Sequence, residues 1–264
     1  MPTALANSIH IHYDIHGAGE PVVLIGGLGS DAYLWVRQIP ALAQGFQVIA
    51  FDNRGAGETD KPDEPYTIPM FAADTAGLLD ALGIEKAHIV GASMGGFIAQ
   101  EFALTYPQRV NRLVLACTHF GGPNAVPIPQ ATLAGMLNRT GDPETDIRAS
   151  FKLYTPPGWP EAHPDLVEQY VRWRVAHPQP VFAFQRQAMA GATFDAESRL
   201  GQLTMPVLIT HGEEDQVVPV ENARLFFQRI PHARLRLFPN AGHLFIYEQA
   251  DEFNQVVIDF LKGV

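Results

Sequence analysis

The chain has 264 residues, 47% of them hydrophobic and 17% charged, and a formal net charge of −10. That length and mixture suit one large buried core, or a core with a smaller inserted unit, and exclude a disordered chain. The negative balance opposes nucleic acid and anionic membrane surfaces as partners. Cys117 is the only cysteine, so no intrachain disulfide forms, and its apolar setting predicts an inert core thiol. Met1 to Ser8 lacks the basic start and apolar run of a secretory leader, and no segment is long and apolar enough to span a bilayer. A cytoplasmic protein is the expectation.

Ile9, Ile11, Tyr13 and Ile15 alternate with His10, His12, Asp14 and His16, which predicts a half-exposed strand near a sheet edge. The histidine face reads as solvated rather than as a metal site, because a flat strand face rarely wraps a metal. After the turn signal Gly17 to Pro21, Val22-Val23-Leu24-Ile25 reads as a fully buried strand, and Val48-Ile49-Ala50-Phe51 as another. Asp52 to Gly57 then forms a polar turn in which Asp52 and Arg54 are structural. Thr67 caps a helix whose Ile68, Phe71, Leu78, Leu79 and Leu82 share a face, ended by Gly83. Ala87 to Val90 and Leu113 to Ala116 complete a run of short strands alternating with helices, the pattern of a parallel sheet covered on both faces.

Between Thr118 and Thr204 that rhythm stops. Proline and glycine clusters separate short helical segments, with Asp142-Pro143 as a cap and first turn. This predicts a helical insertion, residues 119–203, crossing the carboxyl ends of the strands, with the core formed by 1–118 and 204–264. Alternation resumes with Val207 to Thr210, a helix from Asn222 to Ile230, a last strand Leu235 to Phe238, and a final helix carrying Phe253, Val256, Val257, Phe260 and Leu261 on one face.

One stretch carries chemistry. In Gly91-Ala92-Ser93-Met94-Gly95 a buried strand ends, the chain reverses, and a helix begins with Ser93 at the apex. Its hydroxyl is pushed clear of the sheet, and the Met94 N–H at the helix start is free to meet developing negative charge. The plainer alternative is an ordinary turn with a capping serine. A serine hydroxyl needs a base to remove its proton and an acid to orient that base. In an open parallel sheet both come from loops at the carboxyl ends of strands. The loop His211 to Pro219 offers carboxylates, and Pro239 to His243 offers an imidazole.

With Gly26-Gly27-Leu28-Gly29, Asp52 to Gly57, Gly212-Glu213-Glu214-Asp215 and Ala241-Gly242-His243, the chain resembles the α/β-hydrolase superfamily from end to end. In detail it is similar to the small bacterial carboxylesterases and the 3-oxoadipate enol-lactonase group. The resemblance implies an α/β-hydrolase fold: a mostly parallel sheet flanked by helices on both faces, with an inserted helical cap. It implies Ser93 as nucleophile, His243 as general base and Asp215, rather than Glu213 or Glu214, as the orienting acid. The oxyanion hole implied is the backbone N–H pair of Leu28 and Met94. Many relatives carry histidine where this chain has Gly26 and Ala56, so the Leu28 loop lacks those anchors. Gly27, His119, Trp159, Phe182 and Phe184 are the candidates for substrate contact, although Trp159, Trp173, Phe182, Phe184 and Met189 also suit a small core within the insertion.

The expectation is therefore a serine hydrolase of small carboxylic esters, working through an acyl-enzyme without metal or organic cofactor. A lactone or enol-lactone hydrolase uses the same groups, and carbon–carbon hydrolysis and perhydrolysis occur on this scaffold. Dehalogenase and epoxide hydrolase readings need a carboxylate where Ser93 stands. A ligand-binding receptor with little turnover is the alternative from another class. The partner expected is a small-molecule ester or lactone, with no nucleic acid and no membrane, and no oligomeric state is implied.

Overall fold

Short runs such as Val22 to Ile25 present apolar side chains to both faces of a strand, so each must be covered twice. The computed structural model, which describes residues 2–137 and 140–264, meets that demand with one sheet between two helical layers. Its strands are β1 (Thr3–Ala6), β2 (Ile9–His16), β3 (Glu20–Ile25), β4 (Phe46–Phe51), β5 (Ala87–Ala92), β6 (Val110–Ala116), β7 (Val207–Gly212) and β8 (Arg234–Phe238). Their order is β1-β2-β4-β3-β5-β6-β7-β8. The β1–β2 and β2–β4 pairings are antiparallel and every other pairing is parallel.

The first helices are α1 (Ile39–Leu42), α2 (Ile68–Ala81) and α3 (Met94–Thr105). Between β6 and β7 lie α4 (Gln130–Leu137), α5 (Pro143–Tyr154), α6 (Trp159–Ala162), α7 (Pro164–Ala176) and α8 (Val181–Ala192). The chain closes with α9 (Glu221–Arg229), α10 (Phe245–Glu248) and α11 (Ala250–Lys262). On one face Val23, Ile25 and Ile49 pack with Phe71, Leu78 and Leu79 of α2 and Ile98 and Phe102 of α3. On the other, Val22, Leu24 and Val48 pack with Leu42 of α1 and Phe253, Val257 and Phe260 of α11. Each such side chain contributes about 1.5–3 kcal/mol by leaving water. Thr67 caps α2 through the Met70 N–H at 3.3 Å, and Asp142 caps α5 through the Thr145 N–H at 2.9 Å.

Three expectations change. Strand β1 was not anticipated, because Thr3-Ala4-Leu5-Ala6 has no apolar alternation of note; Ala4 and Ala6 are small enough to pack on the α2 side. His12 is not solvated: it is 5% exposed, and its Nδ1 lies 2.9 Å from Asp52 Oδ2. The aromatic residues of the insertion are divided: Trp159 stacks on His163 and Phe151 meets Tyr170 within it, while others pack on the sheet domain. The insertion's buried Phe151, Val167 and Val171 join the layer under α1 and α11, Trp173 stacks on Tyr33 at 4.3 Å, and Met189 is exposed. The Asp52 loop is a dense hydrogen-bonded turn, with Asp52 accepting the Ala32 and Glu58 N–H groups and Arg54 forked onto Asp74 at 2.6 and 2.7 Å.

Candidate active site

Strand β5 is buried along its whole length and ends at Ala92, where Ser93 turns the chain into α3 with φ 55° and ψ −121°. A non-glycine residue in that region is strained by about 1–3 kcal/mol and must be held by its surroundings. Here the Ser93 N–H donates to Ala116 O at 2.9 Å, and Ser93 O accepts the Gly96 N–H and the Thr118 hydroxyl, each at 2.8 Å. Gly95 lets the turn close, since a Cβ there would overlap the carbonyl of Ile25. Ser93 makes no side-chain capping bond to α3, which removes the capping alternative. Its Oγ instead lies 3.1 Å from His243 Nε2.

His243 follows β8 and Asp215 follows β7, and backbone bonds stitch the two loops together. The Glu213 N–H donates to Phe238 O and the Glu214 N–H to Ala241 O, both at 2.9 Å. His243 Nδ1 lies 2.7 Å from Asp215 Oδ2. A carboxylate only accepts, so Nδ1 carries the hydrogen and Nε2 turns its lone pair towards Ser93 Oγ. Asp215 Oδ1 accepts the Val217 and Val218 N–H groups at 2.8 Å each. Burial alone would raise the Asp215 pKa, but the facing imidazoles of His243 and His211 outweigh it and hold the carboxyl well below the usual carboxylate range. Glu213 and Glu214 are exposed, whereas Asp215 is 5% exposed.

The turn after β3 runs beside this line. A Cβ on Gly27 would fall 3.1 Å from Ser93 Cβ, so the backbone of Gly27 and Leu28 flanks the hydroxyl. Neither the Leu28 nor the Met94 N–H donates to a described residue. Helix α8 crosses above: Gly191 approaches Met94 and Phe97, and the ring of Phe184 lies so close over Gly29 that a Cβ there would be 3.1 Å away. His119 meets Phe97 edge-on at 4.7 Å and accepts the Gly121 N–H on Nδ1 at 3.0 Å, which leaves its hydrogen on Nε2. Burial, then the neighbouring His211, pushes the His119 pKa down to about 4, so it is uncharged at neutral pH. Phe182 is exposed and Trp159 stacks on His163 at 4.4 Å; among the described residues no ring contact or hydrogen bond brings either against Ser93 or His243. Cys117 is buried, and burial raises its thiol pKa.

Four neighbours escaped the sequence reading. Tyr154, at the end of α5, lies 5.9 Å from the His243 ring and accepts the Leu244 N–H through its carbonyl. Phe97, one helical turn past Ser93 in α3, and Glu248, whose carboxyl accepts the Gly242 N–H, also border the site, and Gln187 of α8 reaches the turn after β3. No group of His, Cys, Asp and Glu side chains among the described residues is arranged to hold a metal ion, and no described helix is long and apolar enough to cross a membrane.

A hydroxyl, an imidazole and a buried carboxylate in one hydrogen-bonded line, beside two free backbone N–H groups, can activate the hydroxyl and receive an oxyanion. A family model described as alpha/beta hydrolase fold matches residues 20–250. A relative named "Putative carbamate hydrolase RutD" from Azorhizobium caulinodans is 32% identical over 260 residues, covering 98% of each chain. The 2-hydroxy-6-oxo-6-phenylhexa-2,4-dienoate hydrolase of Comamonas testosteroni is 32% identical over 96% of this chain and 91% of its own. Among solved structures, the enol-lactonase from Burkholderia xenovorans LB400 superposes with a TM-score of 0.87 at 27% identity, covering 99% of this chain and 100% of that one. By the extent of these matches the chain belongs to the α/β-hydrolase fold family and is a hydrolase.

Proposed function

We propose that the chain is a serine hydrolase of small, uncharged carboxylic esters, with Ser93 as nucleophile, His243 as general base and Asp215 as orienting acid. Ser93 Oγ attacks the carbonyl carbon as its proton passes to His243 Nε2. The tetrahedral oxyanion is met by the Leu28 and Met94 N–H groups. The carbonyl–oxygen bond then breaks, the alcohol leaves with the proton from His243, and an acyl ester remains on Ser93. Water attacks that ester, giving a proton to His243, and the acid departs as Ser93 recovers its hydrogen. Residues 119–203 act as the cap that closes the cleft, chiefly through α8.

The observation that carries this reading is the unbroken line of 3.1 Å from Ser93 Oγ to His243 Nε2 and 2.7 Å from His243 Nδ1 to Asp215 Oδ2. An uncharged substrate is favoured because the backbone of Gly27 and the side chains of Met94 and Phe97, which Gly191 of α8 approaches, bring no charge to the cleft. His119, beyond Phe97, is held neutral. The test is covalent labelling: a fluorophosphonate adds to Ser93, and Ser93→Ala loses nitrophenyl-ester turnover. Full turnover in that variant ends the proposal.

A lactone is the second reading, supported by the likeness to the enol-lactonase structure. The same attack on a cyclic ester opens the ring and leaves the alcohol tethered to the acyl group. Turnover on unsubstituted lactones, open-chain esters and an aryl carbamate, compared at equal enzyme concentration, separates the classes. A single turnover per chain on every substrate would favour the receptor reading instead.

A further inference from the structure

Gln187 sits in α8, inside the insertion, and is fully buried at 0% exposure. Its Oε1 accepts the Gly29 N–H at 2.9 Å, and its Nε2 donates to Arg54 O at 2.8 Å. One amide thus joins the insertion to the turn after β3 and to the loop after β4. Its orientation is fixed, because a flipped amide would set donor against donor and oxygen against oxygen.

The turn that it grips carries Leu28. Gly27 O accepts the Ser30 N–H at 3.2 Å, and Gly29 in the third position has φ 71°, the signature of a type II turn. In a trans peptide the carbonyl and N–H point opposite ways, so Gly27 O facing Ser30 turns the Leu28 N–H outward. Rotation of the central Leu28–Gly29 peptide leaves the Leu28 N–H, which belongs to the Gly27–Leu28 peptide, in place. What moves that donor is displacement of the turn as a whole, and the Gln187 oxygen on the Gly29 N–H resists it. Asn53 Nδ2 secures the preceding Gly26 O at 3.0 Å. The turn is thus held from the loop after β4 through Asn53 and from the insertion through Gln187.

We infer that Gln187 is a positioning residue for the oxyanion hole: it holds the Leu28 turn in its working geometry, so that this donor is set only while α8 is seated. The inference rests on the serine hydrolase reading. Gln187 lies behind the turn and acts through Gly29, so its loss changes the chemical step more than substrate binding.

The test uses the full chain, with nitrophenyl-ester kinetics from pH 5.5 to 8.5 on Gln187→Leu, Gln187→Glu and Ser93→Ala. Gln187→Leu is expected to lose kcat about 10-fold or more with KM nearly unchanged, short of the roughly 10²–10³ for losing a donor outright. Gln187→Glu has the amide's donor and acceptor pattern when protonated and sets a charged oxygen against Arg54 O when ionised. Its kcat relative to wild type at the same pH should therefore be highest at the acid end and fall as pH rises. Wild-type kcat in Gln187→Leu beside an inactive Ser93→Ala overturns this inference alone. If Gln187→Leu does not fold, Gln187→Ser, too short to reach Gly29, is read in its place, and wild-type kcat there overturns it. Full turnover in Ser93→Ala overturns the hydrolase reading and this inference together.

Discussion

His211 and His243 converge on the same oxygen of Asp215: His211 Nε2 lies 3.2 Å and His243 Nδ1 2.7 Å from Oδ2. His211 Nε2 also lies 2.7 Å from Val218 O, which can only accept, so that nitrogen carries a hydrogen and serves both oxygens. His211→Leu leaves a buried carbonyl without its donor and the carboxylate with one fewer. We expect a loss of about 1.5–3 kcal/mol in urea unfolding, the range for a hydrogen bond to a charged group. Turnover should fall as well, because Asp215 is then freer to rotate. Unchanged stability in that variant would mean that the shared contact is incidental.

Asp215→Asn tests orientation rather than packing. The amide has nearly the shape of the carboxylate, but its NH2 side can present hydrogens to His243. The imidazole then protonates on Nε2 and can no longer accept from Ser93. The expected drop in kcat is roughly 10⁴ with a folded protein, the size seen when a serine–histidine pair loses its correct tautomer. A drop below tenfold in nitrophenyl-ester assays would show that His243 does not depend on Asp215.

Most of the sheet could be read in the sequence because it rests on local pattern: the buried strands are short apolar runs, rich in β-branched residues in β3, β4 and β7. Ser93 shows itself at a strand-to-helix turn, whereas Asp215 and His243 are singled out among the carboxylates and histidines of the later loops only by the resemblance to the α/β-hydrolases. What could not be read depends on contacts between distant segments. Gln187 is one polar residue in an amphipathic helix, and nothing near it in sequence says that its amide meets Gly29 158 residues away. His12 looks solvated by alternation until Asp52, 40 residues on, is folded against it. In the insertion, helical spacing gave the elements but not the faces: Phe184 covers Gly29 while Phe182, two residues earlier, is exposed.

Glu248 supplies a prediction on pH. Its carboxyl accepts the Gly242 N–H at 2.9 and 3.2 Å, one residue before His243. Burial first, then the charges of Asp215 and Glu214, lifts its pKa to about 8, against the opposing pull of the Gly242 N–H. A raised acid pKa means that the folded chain keeps a proton that the unfolded chain has released, so between about pH 4.5 and 8 stability falls as pH rises. Glu248→Gln keeps an acceptor for Gly242 and removes the titration. Its Tm should exceed that of wild type by a few degrees near pH 8, and the gap should close towards pH 5. A gap that is constant with pH, or widest in acid, would refute this assignment.

Ser93 should trade stability for chemistry. At φ 55° and ψ −121° its backbone lies where glycine is at ease and a Cβ is not. Ser93→Ala keeps the Cβ and hence the strain, while Ser93→Gly removes both strain and hydroxyl. Both variants should lose ester turnover. Ser93→Gly should nonetheless be the more stable of the two by about 1–2 kcal/mol, within the range for releasing one strained residue. The alanine variant is the proper reference, because each comparison then lacks the bond to His243 Nε2. Urea unfolding of both at neutral pH measures the difference. Equal midpoints, or a less stable glycine variant, would show that the surrounding bonds from Ala116, Gly96 and Thr118 leave no strain to release at this turn.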